Sequence, residues 1–403
     1  MNNIATFMDD KNVIRQMLLP RRLEMINRHA SWIRRHEPYV LDYVIHGSLI
    51  DPIQIAPYLQ ECHTAQEHSI WRYLRYFSVM PYSEYVGRRQ RFLIRDAGHP
   101  GHPIMGITAI GSSVMHLNVR DRWIGWYIDT NLSEEEREQY QCGELSTEEC
   151  RDRLRTRRER SRNLKEIKMQ RIAAIADLYV SQAIPPYNEL TAGKLLCLMM
   201  LSNEVRDLFH SKYVGRQTEI TKREAADLVL LVTTTIFGLR SSLYNRLRFS
   251  GQTVYIPVGE TNGFGTFQVS EADFLKMRHY LAALGMEPSN AFGQGSNWRM
   301  RVIRTYYDLR RKKEPGYENT GNSKLQHGQH RGVFVAPLAY NARAYLTGED
   351  DIINPYDWPI EELVEWWKGR WLNTRANNPD VMARLRAFRK ETLRISELIT
   401  GEI

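Results

Sequence analysis

The spacing of apolar side chains changes along this chain, and each change predicts a different kind of structure. Through the first eighty or so residues apolar positions recur every three to four, as a helix requires. Ile14, Met17 and Leu18 fit a helix capped by Asp10, and Met25, Ile26 and Ile33 continue the spacing beyond Pro20. Pro20 lacks a backbone donor, so an interruption is expected there. Residues 47–52 read as a turn and 65–77 as another helix. Near Tyr85 the period shortens. Residues 91–96 predict a strand, 98–103 a Gly/Pro turn, and 104–114 a second strand of β-branched residues and glycine. A polar helical excursion is expected over 133–168, then a third strand over 172–180 and a loop at 185–188. Residues 191–209 read as one amphipathic helix with Leu195, Leu196, Met199 and Met200 on one side. The apolar run 228–236 predicts a strand buried on both faces. A short helix (241–247) and a strand (253–258) follow, closed by the glycine-rich 259–265. Beyond Ser270 the pattern is helical again, with a basic segment at 298–313 and a polar, glycine-rich loop at 314–329. An isolated strand is expected at 331–338, then helices at 358–371 and 379–399.

This order predicts an α/β (α+β) protein with a mixed sheet. Three regions follow: a helical N-terminal part (1–84), a core (85–270) carrying an inserted arm (133–170), and a mainly helical C-terminal part (271–403) with one strand near 332–338. The element order is similar to the GNAT topology, in which two central strands splay to admit a cofactor. That likeness is an analogy of fold and says nothing by itself about activity.

Charge adds a partner class. The net charge is +8 and the isoelectric point about 9.2, a balance that favours polyanions. Its distribution is uneven: residues 151–171 hold ten Lys or Arg against three acids, directly after the acidic runs Glu134-Glu135-Glu136 and Glu148-Glu149. No window approaches the ~20 apolar residues needed to cross a bilayer, so a cytoplasmic protein without a membrane anchor is expected. Cys62, Cys142, Cys150 and Cys197 form no CxxC pair, which fits reduced thiols.

Four segments carry a family resemblance: YVGRRQRFLIRD (85–96), RDRWIGW (120–126), VGETNGFG (258–265) and RGVFVAPL (331–338). In this order they resemble the DruA family, a component of the bacterial Druantia anti-phage defence system whose domain also occurs in transposon-associated proteins. The resemblance covers roughly residues 85–345, and RDRWIGW and the GET-x-G-x-G turn are its most specific parts. It implies antiviral defence and work on nucleic acid beside a helicase-like subunit and other Druantia proteins. It brings no catalytic residues. Within RDRWIGW, Trp123 and Trp126 are expected to anchor the basic arm to the sheet, with Arg120 and Asp121 at the rim of a cleft.

Three chemistries remain open. The first is binding of nucleic acid, DNA in preference to RNA. One basic set comprises Arg151, Arg153, Arg155, Arg157, Arg158, Arg160 and Arg162. A second comprises Arg299, Arg301, Arg304, Arg310, Arg311, Lys312 and Lys313, interleaved with Trp298, Tyr306 and Tyr307. Cations neutralise phosphates and aromatics stack on exposed bases; the bland alternative is solvated helix faces balanced by nearby glutamates. The second is acyl or group transfer, with Thr191-Ala192-Gly193-Lys194 opening a helix where a coenzyme A pyrophosphate would sit. The glycine-rich loop of that superfamily is absent, and Pro185-Pro186 occupies the approach. The third is nuclease or strand-transfer chemistry by Asp96, Asp121, Asp177 and Glu260 holding Mg²⁺. Asp121, between Arg120 and Arg122, reads better as a structural ion pair, and Glu260, among Gly259, Gly263 and Gly265, as part of a tight turn. His99 with His102, His327 with His330, and Cys62, His63, Glu67 and His68 are too few or too scattered to predict a metal site. No GxxxxGK[ST], GxSxG or HExxH occurs, and no resident cofactor is identified.

Overall fold

A computed structural model describes residues 3–85, 87–219, 221–240, 242–263, 265–266, 269–290, 297–314, 325–326 and 330–400, with side chains from Lys11 onward. Seven strands form one mixed sheet: β1 (Pro57–Glu61), β2 (Arg89–Asp96), β3 (Ile104–Ser112), β4 (Ile175–Ala183), β5 (Leu230–Thr235), β8 (Ile256–Glu260) and β9 (Gly332–Pro337). Between β5 and β8, β6 (Arg248–Phe249) and β7 (Gln252–Thr253) make a small ribbon. The large sheet has the order β1-β2-β3-β4-β5-β9-β8. Every adjacent pair is antiparallel except β4–β5, whose parallel pairing runs only from Ile175↔Leu230 to Asp177↔Val232.

Alternation along the strands divides the core between the two faces. Phe92, Ile94, Met105, Leu178, Leu231 and Phe334 join the core of α7 (Ala192–Met199) and α8 (Asn203–Tyr213). Leu93, Ile107, Ala109 and Val180 pack instead with α2 (Ala30–Leu41) and α3 (Ala65–Arg75). Ile175, Val232, Val333 and Val335 pack with Ile124, Trp126 and Leu346. A satellite core of Phe274, Met277, Leu281, Val302 and Ile303 joins α9 (Glu271–Ala283) to α10 (Trp298–Lys313). Among the described residues no helix is long and apolar enough to cross a membrane.

Several expected elements come out differently. Residues 331–338 are no isolated strand: β9 lies between β5 and β8 and pairs with both. The N-terminal part is not wholly helical, because β1 supplies the sheet's outer strand. Pro20 does not interrupt α1 (Asn3–Arg28). Buried Leu18 and Ile26 and the Arg22 bond to the Tyr76 carbonyl hold the helix on both sides of it. The helix expected over 191–209 is two helices, because Ser202 caps α8 by accepting the Val205 N–H. Likewise 241–247 yields only a 3-10 turn, Leu243–Arg246, and 379–399 a helix, Pro379–Ala387, followed by two 3-10 turns. Most of the polar loop expected at 314–329, with His327, lies outside the described residues.

The place of β9 makes the sheet depend on a strand far downstream. A chain ended after residue 270 should leave the β5 and β8 edges unpaired and lose cooperative thermal unfolding. Circular dichroism of that truncation checks it; a sharp, native-like transition would contradict the dependence.

Candidate nucleic-acid interface

The first five residues of RDRWIGW are helical: α4 spans Asn118–Ile124. Gly125 ends it at φ 107°, a left-handed conformation that glycine adopts without a Cβ penalty. That bend lets both the Gly125 and Trp126 N–H groups return to the Asp121 carbonyl, at 3.1 and 2.8 Å. Trp126 then turns inward, its indole N–H donating to the Leu346 carbonyl at 2.7 Å. Trp123 stays half-buried under the Arg343 guanidinium. Gly259 serves the same packing, since a Cβ there would stand 3.0 Å from Val119 of α4.

Arg120 and Asp121 do not sit at a cleft rim. Arg120 is fully buried and Asp121 nearly so. Arg120 donates from Nε and Nη2 to Asp121 Oδ1 at 2.9 and 2.6 Å. Its Nη1 donates to Ser113 Oγ and the Val114 carbonyl, both at 2.7 Å. The other carboxylate oxygen, Oδ2, accepts from Lys168 Nζ at 2.6 Å. Arg120 and Lys168 lie 5.9 and 5.8 Å from the Trp126 ring centre, so one indole faces both cations. Beyond Ser113 the network reaches Asp177, which accepts the Ser113 hydroxyl at 2.5 Å. Burial pushes the Asp177 carboxyl above its ordinary range and pulls the Lys168 ammonium below its own, with Asp121 opposing the latter.

Lys168 belongs to α6 (Thr147–Arg171), the inserted arm, ~37 Å long at 1.5 Å per residue. α5 (Glu134–Gln141) folds back along it. Both helices start with a capping box, Ser133 with Glu136 and Ser146 with Glu149, so the acidic runs have structural work. Glu136 also clamps the hairpin, accepting from Arg157 at 2.6 and 2.8 Å and from Arg153 at 3.3 Å. The Arg157 bond and the Ser133 N–H hold its carboxyl down to about 2. At the root, Arg171 pairs with Asp351 at 2.6 Å and lies over the Tyr345 ring.

The remaining cations of α6 face water. Arg151, Arg155, Arg158, Arg162 and Lys165 are exposed. Their 4-3-4-3 spacing, at 100° per residue, confines them to a sector of about 80° over ~21 Å. Within this stripe the described residues hold one weak ion pair, Arg155–Glu159 at 4.0 Å. Asp152, Glu159 and Glu166 run along one flank, and exposed Arg160 lies on the opposite side. The helix thus presents a cationic edge with no apolar residue in it.

The second basic set is largely committed elsewhere. Arg299 donates to Glu271 at 2.5 Å and to the Val269 carbonyl at 2.7 Å. Arg301 donates to the Ser289 carbonyl at 2.7 Å, Arg310 forms a two-bond pair with Glu314, and Arg304 is half-buried. Arg311, Lys312 and Lys313 are exposed in the last turn, where cations suit the helix dipole. Trp298, Tyr306 and Tyr307 pack on the satellite core instead of standing free for stacking.

The other candidates do not converge. Asp96 is buried in a turn, accepting from the Ala56 and Gly98 N–H groups and from Tyr187, with His99 at 2.7 Å. Glu260 is exposed at the end of β8, and Gly263 turns at φ 63° just after it. Glu67 caps α3 with Thr64, while burial pushes the Cys62 thiol up to about 12. Among the described residues no three His, Cys, Asp or Glu side chains gather as a metal site. Gly193 lies in the first turn of α7, beside Thr191, whose carbonyl accepts the Trp367 indole N–H at 3.3 Å. Where β4 and β5 part, Thr233 Oγ1 lies 3.0 Å from the Leu178 carbonyl and 3.2 Å from the Tyr244 hydroxyl. Tyr244 and Cys197 fill the space behind, both buried.

Sequence reasoning missed Lys168, Ser113 and Asp177 as members of one network. The single signal was an apolar-flanked lysine, Ile167-Lys168-Met169, at the foot of an otherwise polar helix. Without Lys168, Asp121 keeps Arg120 on Oδ1, but its buried Oδ2 loses its donor, which costs about 1–3 kcal/mol. Lys168→Met should therefore lose stability on that scale in denaturant titration, while Lys165→Met on the exposed stripe stays within about 0.5 kcal/mol. Equal losses at the two positions would remove the case for a special anchor.

Comparison with known proteins bears on the whole assembly. The family model described as Druantia protein DruA matches residues 8–140 and 134–348. A Druantia protein DruA of Escherichia coli (strain UMEA 4076-1) is 27% identical over 377 residues, covering 92% of this chain and 81% of that protein. No solved structure matches. The matched residues include α4, the arm, the glycine turn after β8, and β9, so the chain belongs to the DruA family.

Proposed function

We propose that this chain is a component of a bacterial antiviral (anti-phage) Druantia system that engages nucleic acid through the α6 arm, together with a helicase-containing partner set. The observation that carries the reading is the stripe Arg151, Arg155, Arg158, Arg162 and Lys165, solvent-facing on a helix fastened to the sheet by buried ions. Such an edge displaces counterions from phosphates at several successive points. α6 contains no aromatic residue. It therefore offers charge without a stacking surface, which suits the backbone of duplex DNA better than unstacked single-stranded RNA. The family's name supplies the defence setting. Five phosphate contacts give a log–log salt slope of about −4 to −5, and Arg151→Gln/Arg158→Gln/Arg162→Gln should flatten it by about 2–3. Fluorescence anisotropy on a short duplex measures both; failure to bind DNA or RNA at low salt sinks the reading.

A second reading is a GNAT-like transferase with an atypical cofactor loop. It is favoured by the parting of β4 and β5 after a short parallel stretch, with α7 following β4. The side chains wedged between the strands count against it. The reading expects coenzyme A to raise the melting temperature and Gly193→Val to abolish the rise. Scanning fluorimetry decides it, and no shift with the unaltered chain ends it.

A further inference from the structure

Another part of the surface carries the opposite charge. A groove of about 630 Å³ runs between the outer edge of β1, α8 and the helix Ile360–Trp367. Leu59, Leu208, Ile360 and Val364 line it with apolar surface, while Glu204, Asp207, Glu361 and Glu365 supply carboxylates. In a chain of net charge +8 this is a local reversal of sign. Glu204 is occupied, accepting the Ile360 N–H at 3.1 Å, and Glu365 pairs with Lys368 at 2.8 Å. Asp207 and Glu361 are exposed, and among the described residues their side chains form no hydrogen bond or salt bridge, although the Asp207 charge acts on neighbouring Arg206.

Among the described residues, nothing bonds the outer backbone edge of β1 beside this groove. β1 is an end strand of the sheet. The Ala97 N–H donates to the Ala56 carbonyl and the Cys62 N–H to the Arg91 carbonyl. In an antiparallel pair alternate residues face the partner, so Tyr58 and Gln60 also turn to β2. Pro57, Leu59 and Glu61 accordingly direct their backbone groups outward. Pro57 blunts the first position, since it has no N–H. Leu59 retains both a donor and an acceptor beside the groove. A strand added there would lie ~4.8 Å from β1.

We infer that the groove receives an extended segment of a partner protein whose groove-facing, every-second residues include both apolar and Lys/Arg side chains, and which adds to the sheet beside β1. Main-chain bonds to Leu59 would hold it, and the alternate side chains that face α8 and the helix Ile360–Trp367 would place apolar groups on Leu208 and Val364 and Lys or Arg groups at Asp207 and Glu361, the intervening set pointing away from the groove. The carboxylates repel phosphate, so the site is separate from the α6 edge and independent of the nucleic-acid reading.

The test uses the full chain and a fluorescein-labelled Lys–Val peptide of repeating Lys-Ser-Val-Ser, in which Lys and Val alternate along one face of the strand. Two controls are its Glu–Val counterpart and a Lys–Val version N-methylated at alternate residues, which keeps charge but loses strand donors. The Lys–Val peptide should bind, and Asp207→Lys/Glu361→Lys should weaken it by about tenfold or more, as should N-methylation. Both substituted residues are exposed, so the variant is expected to fold, and circular dichroism verifies this. No binding, equal binding of the Glu–Val peptide, or indifference to either change overturns the inference. Sedimentation showing a dimer that Asp207→Lys/Glu361→Lys dissociates would assign the groove to a second copy, which also overturns it.

Discussion

The chain Arg120–Asp121–Lys168 is the constraint on which the arm depends. Three charges leave water together, and desolvation is severe unless each oxygen and N–H finds a partner. Here Asp121 Oδ1 takes two guanidinium donors and Oδ2 takes the ammonium. The match requires the turn after β3, the first half of α4 and the foot of α6 to arrive in one place. Trp126 closes that place beneath both cations. Because Lys168 is near the C-terminal end of α6, the greater part of the helix is left to carry its charges elsewhere.

Residues of one type therefore do two jobs within a single helix. Arg153 and Arg157 hold Glu136 and keep α5 against α6, whereas Arg151, Arg158 and Arg162, one helix face away, are exposed. α10 divides its charges differently. Arg299, Arg301 and Arg310 are used in bonds to their own subdomain, and the free cations collect in the last turn. Composition treats the two basic runs as equals. What separates them is where the carboxylates and carbonyls within three ångströms fall: in α6 they leave one helix edge exposed, and in α10 they leave only the last turn.

The β4–β5 parting has the same character. A short parallel register opens a gap in the sheet, and Thr233, Tyr244 and Cys197 occupy it. A mixed sheet was legible in outline, because strands alternate with helices along the chain. The filling beyond the short parallel register was not, because Tyr244 comes from a short 3-10 turn whose side chains enter the core from outside the regular elements.

Local pattern was enough for β2, β3, the arm and β5, where period, β-branched residues and capping boxes agree with the final structure. It also carried the family likeness, since RDRWIGW and the glycine turn are contiguous in sequence. Tertiary structure alone decided the rest. β9 reads as an isolated strand because its partners, β5 and β8, lie far upstream and pairing leaves no local mark. β1 escaped notice because five residues, four of them half-buried and without alternation, form too short a run to declare a period. Arg120 and Asp121 read as rim residues because burial of a charge depends on counter-ions, and Lys168 stands 47 positions away from Asp121. A sequence specifies what each segment prefers to be; which charges are neutralised and which strand closes the sheet are settled only when distant segments meet.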